Sequence, residues 1–374
     1  MNQYFATVAR GLESSAAREL ERLGAREIRP DFAGVHFVGD RPLLYRVNLW
    51  ARTLFRVLVP IREFPCANAK MLYREVQQIQ WNEYLEPDNT LAVRCTGGNK
   101  TLNHTYYSAL QVKNAIVDQQ RQEWGKRSSV DAKNPDLQLN LHIHGDRAIL
   151  SLDSSGHSLH RRGYRQAMGN APLKETLAAA ILDLAEYDAT LPFFDPLCGV
   201  GTLPLEAGLK ALNIAPGLFR DRFAFMTWRD FDAPLWENLV LEAKNSQRDA
   251  LPAPIYGSDR DSEVIKLARV NAQNCGLANR IKLVQKEFYH IEPPSDRGIA
   301  ICNPPYGERI GELRELGDFY KAIGDILKQR FTGWVAYILS GNKQLTKRIG
   351  LRTSARIPVY NGSLPCTLLK YELY

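Results

Sequence analysis

Paired cysteines are missing from this sequence. It contains six cysteines, and no two of them form a Cys-x-x-Cys pair. Their positions are Cys66, Cys95, Cys198, Cys275, Cys302 and Cys366. This scatter argues against a zinc ribbon and a disulfide framework, and it favours a reducing compartment. His142 and His144 lie two apart on one predicted strand, but no third ligand has a recognisable spacing, so we expect no metal site.

Long apolar runs are missing as well. No run of about 18 apolar residues, the length that spans a bilayer, occurs in the sequence. The N-terminus, "MNQYFATVARGLESSAAREL", lacks a basic segment followed by a long apolar one. We therefore predict a cytoplasmic protein that is neither exported nor membrane-spanning.

Two common nucleotide-binding motifs are incomplete. In "DPLCGVGT", the spacing Gly199-x-Gly201-x-x-Pro204 lacks the third glycine of the dinucleotide fingerprint. No Gly-Lys-Ser/Thr follows, as a phosphate-binding loop requires. A nicotinamide cofactor and ATP are both disfavoured.

The length, composition and charge indicate a large, basic, globular protein. The chain has 374 residues, of which 45% are hydrophobic and 24% charged, a composition that predicts two or three folded domains. Its net charge of +7 favours a polyanionic partner such as nucleic acid. Many basic proteins bind no nucleic acid, so the charge alone leaves both alternatives open.

The first half of the chain mixes short strands and helices, as in an α+β region. Apolar periodicity predicts strands at 4–8, 34–38, 90–95, 137–143 and 147–152, and helices at 13–23, 71–79 and 106–124. Between Asp153 and Glu175 there is no acidic residue, while "HSLHRRGYRQ" supplies three arginines. They are Arg161, Arg162 and Arg165, and this junction is either a solvated linker or a hinge that contacts phosphates.

The second half alternates strands and helices. The strands "LPFFDP", "IYGSDRD", "IKLVQKEF", "GIAICN" and "WVAYILS" are separated by helical segments, which predicts a parallel sheet with helices on both faces. The last strands surround an Asn361-Gly362 turn. We therefore expect an antiparallel strand pair at the end of the sheet.

Acidic residues and glycines follow the first two of these strands. Asp195 ends the first strand, and Gly199 and Gly201 lie in the loop before a helix, where a ligand can approach the backbone closely. Asp259 ends the second strand, where a carboxylate can accept both hydroxyls of a ribose. Asp259, or Asp261 two residues later, could instead cap the following helix, and the same alternative applies to Asp195.

The fourth strand is followed by "NPPY", a stiff loop that offers acceptors and few donors, since proline has a fixed φ and no N–H. Strand by strand, these motifs resemble the S-adenosylmethionine-dependent methyltransferases. In them "NPPY" is typical of enzymes that methylate an exocyclic or amide nitrogen. The motif is shared by enzymes acting on adenine N6, guanine N2 and a protein glutamine.

The rest of the chain narrows the resemblance. "RRGYRQAMGNAPLKETLAAAIL", "DPLCGVGTLPLEA", "YGSDRD", "NPPYGERI" and "NKTLNHTYYSALQVKNAIVD" resemble the THUMP-containing RNA guanine-N2 methyltransferases. The likeness is greatest to the N-terminal methyltransferase half of the bacterial 23S ribosomal RNA enzymes, to which "TGWVAYILSGN" and "VYNGSLPC" are also similar. It implies a Rossmann-like class I methyltransferase domain at 156–374, preceded by a ferredoxin-like segment at 1–60 and a THUMP RNA-binding domain at 61–155.

The same resemblance implies roles for individual residues. It assigns the target-base loop to Asn303, Pro304, Pro305 and Tyr306. It assigns S-adenosylmethionine binding to Leu173, Lys174, Asp195, Cys198, Gly199, Gly201 and Asp259, with Glu287 or Phe288 near the adenine. The glutamate of "QKEF" departs from the family pattern, in which aspartate is commoner at the position of Glu287.

The implied activity is methyl transfer to guanine N2 in 23S ribosomal RNA. The alternatives are a tRNA guanine-N2 methyltransferase and a non-catalytic RNA-binding ribosome-assembly factor. Further cations of the first half could contact RNA phosphates or face solvent. They are Lys100, Lys113, Lys126 and Arg127.

Overall fold

A computed structural model describes residues 1–165, 173–307 and 312–374. Parts of two motifs, "QAMGNAP" at 166–172 and "ERI" at 308–310, therefore lie outside the described residues. Within the described ranges, no helix combines the length and the apolar character that crossing a membrane requires.

The first half forms strands and helices in alternation. They are β1 (Asn2–Val8), α1 (Glu13–Arg22), β2 (Arg26–Asp31), β3 (Gly34–Gly39), α2 (Arg41–Trp50), β4 (Leu54–Pro65), α3 (Ala69–Gln77), β5 (Thr90–Gly98), α4 (Thr105–Trp124), β6 (Ser129–Val130), β7 (Leu137–His144) and β8 (Arg147–Asp153). Side-chain caps fix several helix starts. Asn68 accepts from the Met71 N–H at the start of α3, and Gly125, in the left-handed region with φ +66°, ends α4.

These strands form one sheet, in the order β2-β3-β1-β4-β8-β7-β5-β6. The long strand β4 pairs with β1 on one side and β8 on the other, so it is shared by the two N-terminal regions. The β4–β8 register shifts between Pro60 and Arg62, where the sequence suggested a boundary at 60. The division into segments 1–60 and 61–155 stays a prediction.

One face of this sheet packs against helices. Alternate strand residues such as Leu139, Leu141 and Leu150 are buried against Val112 and Ile116 of α4. The residues between them point to the other face, where Arg94, Thr96, His142 and His144 are exposed. We call this other side the open face of the sheet.

The second half contains the remaining elements. They are α5 (Glu175–Leu184), β9 (Phe193–Asp195), α6 (Thr202–Ala211), α7 (Ala233–Asn245), β10 (Ile255–Asp259), α8 (Ser262–Asn274), β11 (Lys282–Gln285), β12 (Gly298–Cys302), α9 (Glu312–Arg330), β13 (Trp334–Ser340), α10 (Lys343–Arg348), β14 (Ala355–Asn361) and β15 (Leu364–Glu372).

Their strands form a second sheet in the order β11-β10-β9-β12-β13-β15-β14. Strands β9 to β13 are parallel, and β15 runs antiparallel to both β13 and β14. Phe193 and Phe194 are buried in different clusters, because helices cover both faces of this sheet. The predicted fold class is confirmed. Because β9 lies between β10 and β12, the carboxyl ends of these strands border a crevice.

A segment between α6 and β10 connects the second half to the first. Trp228 packs against two hydrophobic clusters, one shared by the N-terminal segment and the second half and one within residues 64–152. Arg229 donates to Glu86 Oε1 over 2.8 Å, and Arg222 donates to the Pro135 carbonyl over 3.0 Å. This segment, residues 213–253, is therefore a brace between the two halves of the molecule.

Candidate functional site

The loop after β9 exposes its backbone. Gly199 and Gly201 have φ of +54° and +87°, a region that favours glycine. A β-carbon at Gly199 would meet no atom within 4 Å, so the space beside it is open. Gly201 directly precedes α6, whose first N–H groups have no intrahelical partner. The loop can therefore hold a ligand against its backbone.

The two aspartates after β10 have different roles. Asp261 is the N-cap of α8, since its Oδ1 accepts from Glu263 N over 2.8 Å. Asp259 instead accepts from Gly199 N through Oδ2 over 3.1 Å. Its carboxylate thus lies against the glycine loop of the neighbouring strand. Of the two interpretations that the sequence left open, helix capping applies to Asp261, whereas Asp259 faces the loop.

Asp195 lies beneath this loop. It is 2% exposed, and its Oδ1 accepts from Leu197 N over 3.0 Å. Burial raises the pKa of Asp195 well above its usual value, and the nearby charge of Asp259 raises it further. Burial, followed by the same two aspartates, also raises the pKa of the Cys198 thiol. The two acids and the thiol therefore share one small region, where burial disfavours the charged forms of Asp195 and Cys198.

The residues after β11 lie next to Asp259, because Lys286 N donates to the Asp259 carbonyl over 2.9 Å. Glu287 is exposed at this sheet edge. Phe288 is 4% exposed, and its ring packs edge-on against Phe319 with the centroids 5.3 Å apart. The Glu287 carboxylate is thus accessible beside Asp259, whereas the Phe288 ring lies in the interior.

The segment before α5 is tied to the start of α6 by Arg165. Its Nη2 donates to the Leu173 carbonyl over 3.0 Å and to Thr202 Oγ1 over 2.7 Å. Its Nε lies 3.1 Å from Glu175 Oε1. These contacts place Leu173, which precedes Lys174, close to the glycine loop. They also direct the Arg165 guanidinium inward, so its expected contact with phosphate is not supported.

The loop after β12 brings Asn303, Pro304, Pro305 and Tyr306 to the same edge of the sheet. The Tyr306 hydroxyl donates to Asn303 Oδ1. Burial raises the pKa of Tyr306 well above its usual value, with Cys366 a further cause, so this hydroxyl keeps its proton. The Pro304 carbonyl has no hydrogen-bond partner among the described residues. The loop therefore offers two acceptors, one of which its own tyrosine occupies.

Two residues that we did not identify from the sequence hold this loop in place. The Tyr320 hydroxyl donates to the Pro305 carbonyl over 3.1 Å, and Asn342 Nδ2 donates to the Tyr306 carbonyl over 3.1 Å. Asn342 Oδ1 also accepts from Gln344 N at the start of α10. An asparagine before a helical segment is a recognisable N-cap signal, but its second contact depends on the fold.

The interpretation of Arg162 as a phosphate contact is wrong. Its side chain is 1% exposed, and its Nη1 donates to the carbonyls of Ala51 and Leu159 over 3.2 and 2.9 Å. Its Nε lies 3.5 Å from Glu206 Oε1 in α6. Arg162 therefore connects the two halves from the interior. Its neighbour Arg161 is exposed.

The four basic residues of the first half are spread along α4. Lys100 lies before this helix, and Lys126 and Arg127 follow it; all three are exposed. A helix of 20 residues is about 30 Å long, so its two ends belong to different surfaces. Lys113 is half-buried, and its Nζ donates to Asn114 Oδ1 over 2.5 Å. RNA contacts by these residues stay predictions.

Three family models match the chain. A methyltransferase domain described as RMKL-like matches residues 162–370, a THUMP domain matches 66–153, and an RlmL ferredoxin-like domain matches 3–58.

The chain is also similar to individual proteins. A protein of Synechocystis sp., provisionally named an RNA methyltransferase, is 60% identical over 99% of this chain and 97% of its own length. The "Ribosomal RNA large subunit methyltransferase K/L" of Methylococcus capsulatus is 40% identical over 99% of this chain. The alignment spans 51% of that relative, so the chain covers about half its length.

A crystal structure provisionally described as a methyltransferase complexed with SAH is 29% identical. It matches 100% of this chain and 98% of its own, with a TM-score of 0.88. At this level of identity and coverage, the comparison supports S-adenosylmethionine as the methyl donor as well as the shared fold.

Proposed function

Because this chain belongs to the RMKL-like methyltransferase-domain family, whose methyl donor is S-adenosylmethionine, we propose that it methylates the exocyclic N2 of a guanosine in RNA. The proposed substrate is 23S ribosomal RNA, in keeping with the names of the K/L relatives. The observation that carries the proposal is the pair of acceptors, Asn303 Oδ1 and the Pro304 carbonyl, at the sheet edge that also holds the glycine loop.

The residues of this edge fit the donor. The open space at Gly199 admits a ligand against the backbone, and Asp259 provides a carboxylate for ribose hydroxyls. Glu287 lies one strand further along, where an adenine would extend. Leu173 and Lys174 would border the methionine end, and Asp195 and Cys198 would support the loop from beneath.

The methyl group on the sulfonium of the donor is the electrophile, so the protein has to orient the nucleophile. The guanine amino group is a weak nucleophile because its lone pair is delocalised into the ring. Asn303 Oδ1 and the Pro304 carbonyl would accept its two hydrogens, which reduces the delocalisation and aims the nitrogen. Asparagine is a poor base, so orientation and proximity carry the rate and the proton leaves to solvent.

Tyr306 has two roles in this proposal. Its ring stacks on the base, which must leave any helix to enter the pocket. Its hydroxyl occupies Asn303 Oδ1 when no base is present. An incoming guanine amino group replaces that hydrogen bond, and the tyrosine hydroxyl restores it when the substrate leaves. Asn303 Oδ1 therefore has a hydrogen-bond partner in both states.

The N-terminal half would deliver the RNA. We propose the functional division 1–60, 61–155 and 156–374, with the first two segments binding RNA and the third carrying the reaction. The match to a THUMP domain supports this division. The same parts would also serve a tRNA substrate, which size separation of the labelled RNA distinguishes.

Nucleoside analysis of a deletion strain tests the proposal in cells. N2-methylguanosine of the large ribosomal RNA should fall on deletion and return with the wild-type gene. It should not return with Asn303→Ala, produced at the same level. Unchanged N2-methylguanosine in the deletion strain would refute the activity. Full restoration by Asn303→Ala would favour a non-catalytic role in ribosome assembly.

A further inference from the structure

Two arginines without a partner lie beside the open face of the sheet. Arg94 is on β5, and Arg161 is in the segment after β8; both are exposed. Neither guanidinium has a hydrogen bond or an ion pair with any residue in the described ranges. An exposed arginine is commonly just solvated, so their surroundings decide whether they have a function.

Strand register places Arg94 near the end of β8. Arg94 lies opposite Asn140 on β7, and Asn140 lies opposite Ser151 on β8. Asp153 is two residues further along β8, on the same face as Ser151. Two strand spacings of about 5 Å and two residues of about 3.3 Å separate Arg94 from Asp153 along the sheet. A long arginine side chain covers much of that distance.

Both oxygens of the Asp153 carboxylate already have partners. Its Oδ2 accepts from Arg56, and its Oδ1 accepts from Ser155 N and Gly156 N over 3.0 and 3.1 Å. It is 1% exposed. The carboxylate nearest to Arg94 thus balances Arg56 and has no free oxygen for another guanidinium.

A second guanidinium, that of the half-buried Arg220, fixes the backbone around Arg161. Arg220 donates through Nη1 to the carbonyls of Arg161 and Ser158 over 2.9 and 3.2 Å. Its Nη2 donates to the carbonyls of Ser155 and His157, both over 2.9 Å. The segment 155–161 is therefore wrapped around a cation that no carboxylate among the described residues contacts, which holds Arg161 in a defined place.

The surrounding groups respond to this excess of positive charge. The charge of Arg56 is the largest cause that lowers the pKa of Arg94, and Arg161 also contributes. Burial lowers the pKa of His157, and Arg161, Arg220 and Arg56 lower it further. His157 is therefore neutral at pH 7, and the four guanidinium groups face one carboxylate.

The cluster lies on the way to the donor pocket. Leu159, two residues before Arg161, donates from its N–H to the Phe55 carbonyl over 2.8 Å. The Lys174 ammonium lies 5.4 Å from the centroid of the Phe55 ring. The ring of His160, the neighbour of Arg161, packs edge-on against Phe55 with the centroids 6.3 Å apart. Phe55 therefore lies between this segment and Lys174, which precedes α5, and a polyanion bound at Arg161 would be on the donor side of the molecule.

We propose that Arg94 and Arg161 together form a phosphate-binding site for the RNA strand that leads to the active site. This inference rests on the proposed function and specifies where the RNA backbone is held. Guanidinium groups bind phosphate oxygens in a bidentate manner, and two unpaired arginines on a fixed backbone suit one or two successive phosphates. Arg56, paired with Asp153, and Arg220, bonded to backbone carbonyls, are the framework of this site and not RNA contacts.

Binding of a short fluorescein-labelled single-stranded RNA to the full chain, measured by anisotropy over a salt series, tests the proposal. Arg94→Ala and Arg161→Ala should each weaken binding about tenfold at low salt and lower the salt slope by about 1. Arg18→Ala is the matched control, because Arg18 is exposed on α1, on the helix-covered side of the sheet. The backbone carbonyl of residue 161 remains in Arg161→Ala, so the contact with Arg220 is kept.

Two further readouts separate this inference from the proposed function. Donor binding by calorimetry should be unchanged in both variants, and methyl transfer at saturating RNA should recover most of the wild-type rate. If both variants bind the RNA like Arg18→Ala while the wild type methylates it, the phosphate site is refuted and the activity stands. If the wild type transfers no methyl group to RNA, the proposed function is refuted, and the binding measurements alone decide on the phosphate site.

Discussion

At the scale of single residues, neighbouring acids of the same type have separate roles. Asp259 contacts the glycine loop through Gly199, whereas Asp261, two residues later, caps α8. The sequence placed both aspartates at the end of a strand but could not distinguish their roles. An aspartate at that position can either contact the neighbouring loop or cap the following helix. Arg161 and Arg162 also differ in a way that the sequence does not show. In the fold, Arg162 is buried and Arg161 is exposed.

We predict that Asp259→Asn weakens S-adenosylhomocysteine binding at least tenfold, because the amide loses charge-assisted hydrogen bonds to ribose hydroxyls and to Gly199 N. Asp261→Asn is the matched control. Asparagine still caps a helix, so this variant should keep both stability and donor affinity. Isothermal calorimetry measures the affinity. Equal losses in both variants would mean that Asp259 acts only through the fold.

Tyr306 allows its ring and its hydroxyl to be tested separately. Tyr306→Phe keeps the ring, so kcat/KM for RNA should stay within about threefold of the wild type. Tyr306→Ala removes a base-stacking surface, and kcat/KM should fall roughly 5- to 160-fold, the equivalent of about 1–3 kcal/mol. Single-turnover methyl transfer measures both. A phenylalanine variant as poor as the alanine variant would contradict the stacking role.

At the scale of elements, the target-base loop is rigid because two neighbouring elements hold its carbonyls. Tyr320 from α9 and Asn342 before α10 donate to Pro305 and Tyr306, respectively. Tyr320 is fully buried, so this contact is part of the core between α9 and the sheet. The stiffness that two prolines give the loop is thus completed by hydrogen bonds from elsewhere in the chain.

The two polar atoms of the Asn342 side chain have different partners: Oδ1 caps α10, and Nδ2 donates to the Tyr306 carbonyl. Substitutions can therefore test the two contacts separately. Asn342→Asp keeps the oxygen that caps α10 but replaces the donor to the Tyr306 carbonyl with a repelling oxygen. We expect kcat to fall about tenfold with stability nearly unchanged. Asn342→Ala should lose activity and also about 0.5–2 kcal/mol of stability. An aspartate variant with wild-type kcat would show that the loop does not need this contact.

The elements show how far the sequence can be interpreted. Strongly periodic segments such as α4 and β13 were predicted to within about two residues. The sequence interpretation missed α2, although Asp40 caps it by accepting from Leu43 N and a proline lies in its first turn. It also missed β2, since this edge strand is mostly exposed and lacks the apolar alternation of the others. The shared strand β4 depends on pairing at both edges, which periodicity does not reveal.

At the scale of the whole molecule, the brace at 213–253 holds the first half against the catalytic half. Trp228 contacts the cluster within residues 64–152 and the cluster that the N-terminal segment shares with the second half. Arg162 connects the halves from the interior through Glu206. These contacts set the distance from the open face of the sheet to the target-base loop. The proposed RNA path from the first half to the target-base loop therefore depends on the brace.

Trp228→Ala should lower the free energy of unfolding by about 2–4 kcal/mol, because it removes a large ring from the packing between two clusters. The matched control is Trp124→Ala, since Trp124 is 38% exposed at the end of α4 and should cost less than about 1 kcal/mol. Denaturant unfolding measures both. Methyl transfer to RNA should fall in the first variant at a temperature where donor binding is normal. Equal stabilities would contradict the brace.

The most direct test of the central claim is methyl transfer from labelled S-adenosylmethionine to deproteinised RNA from cells that lack the gene. Nucleoside analysis and size separation would identify the product. We predict label in N2-methylguanosine of the large ribosomal RNA, and none with Asn303→Ala. Label in another nucleoside, such as N6-methyladenosine, would contradict the account, as would absence of transfer to both free RNA and precursor ribosomal particles while the donor binds.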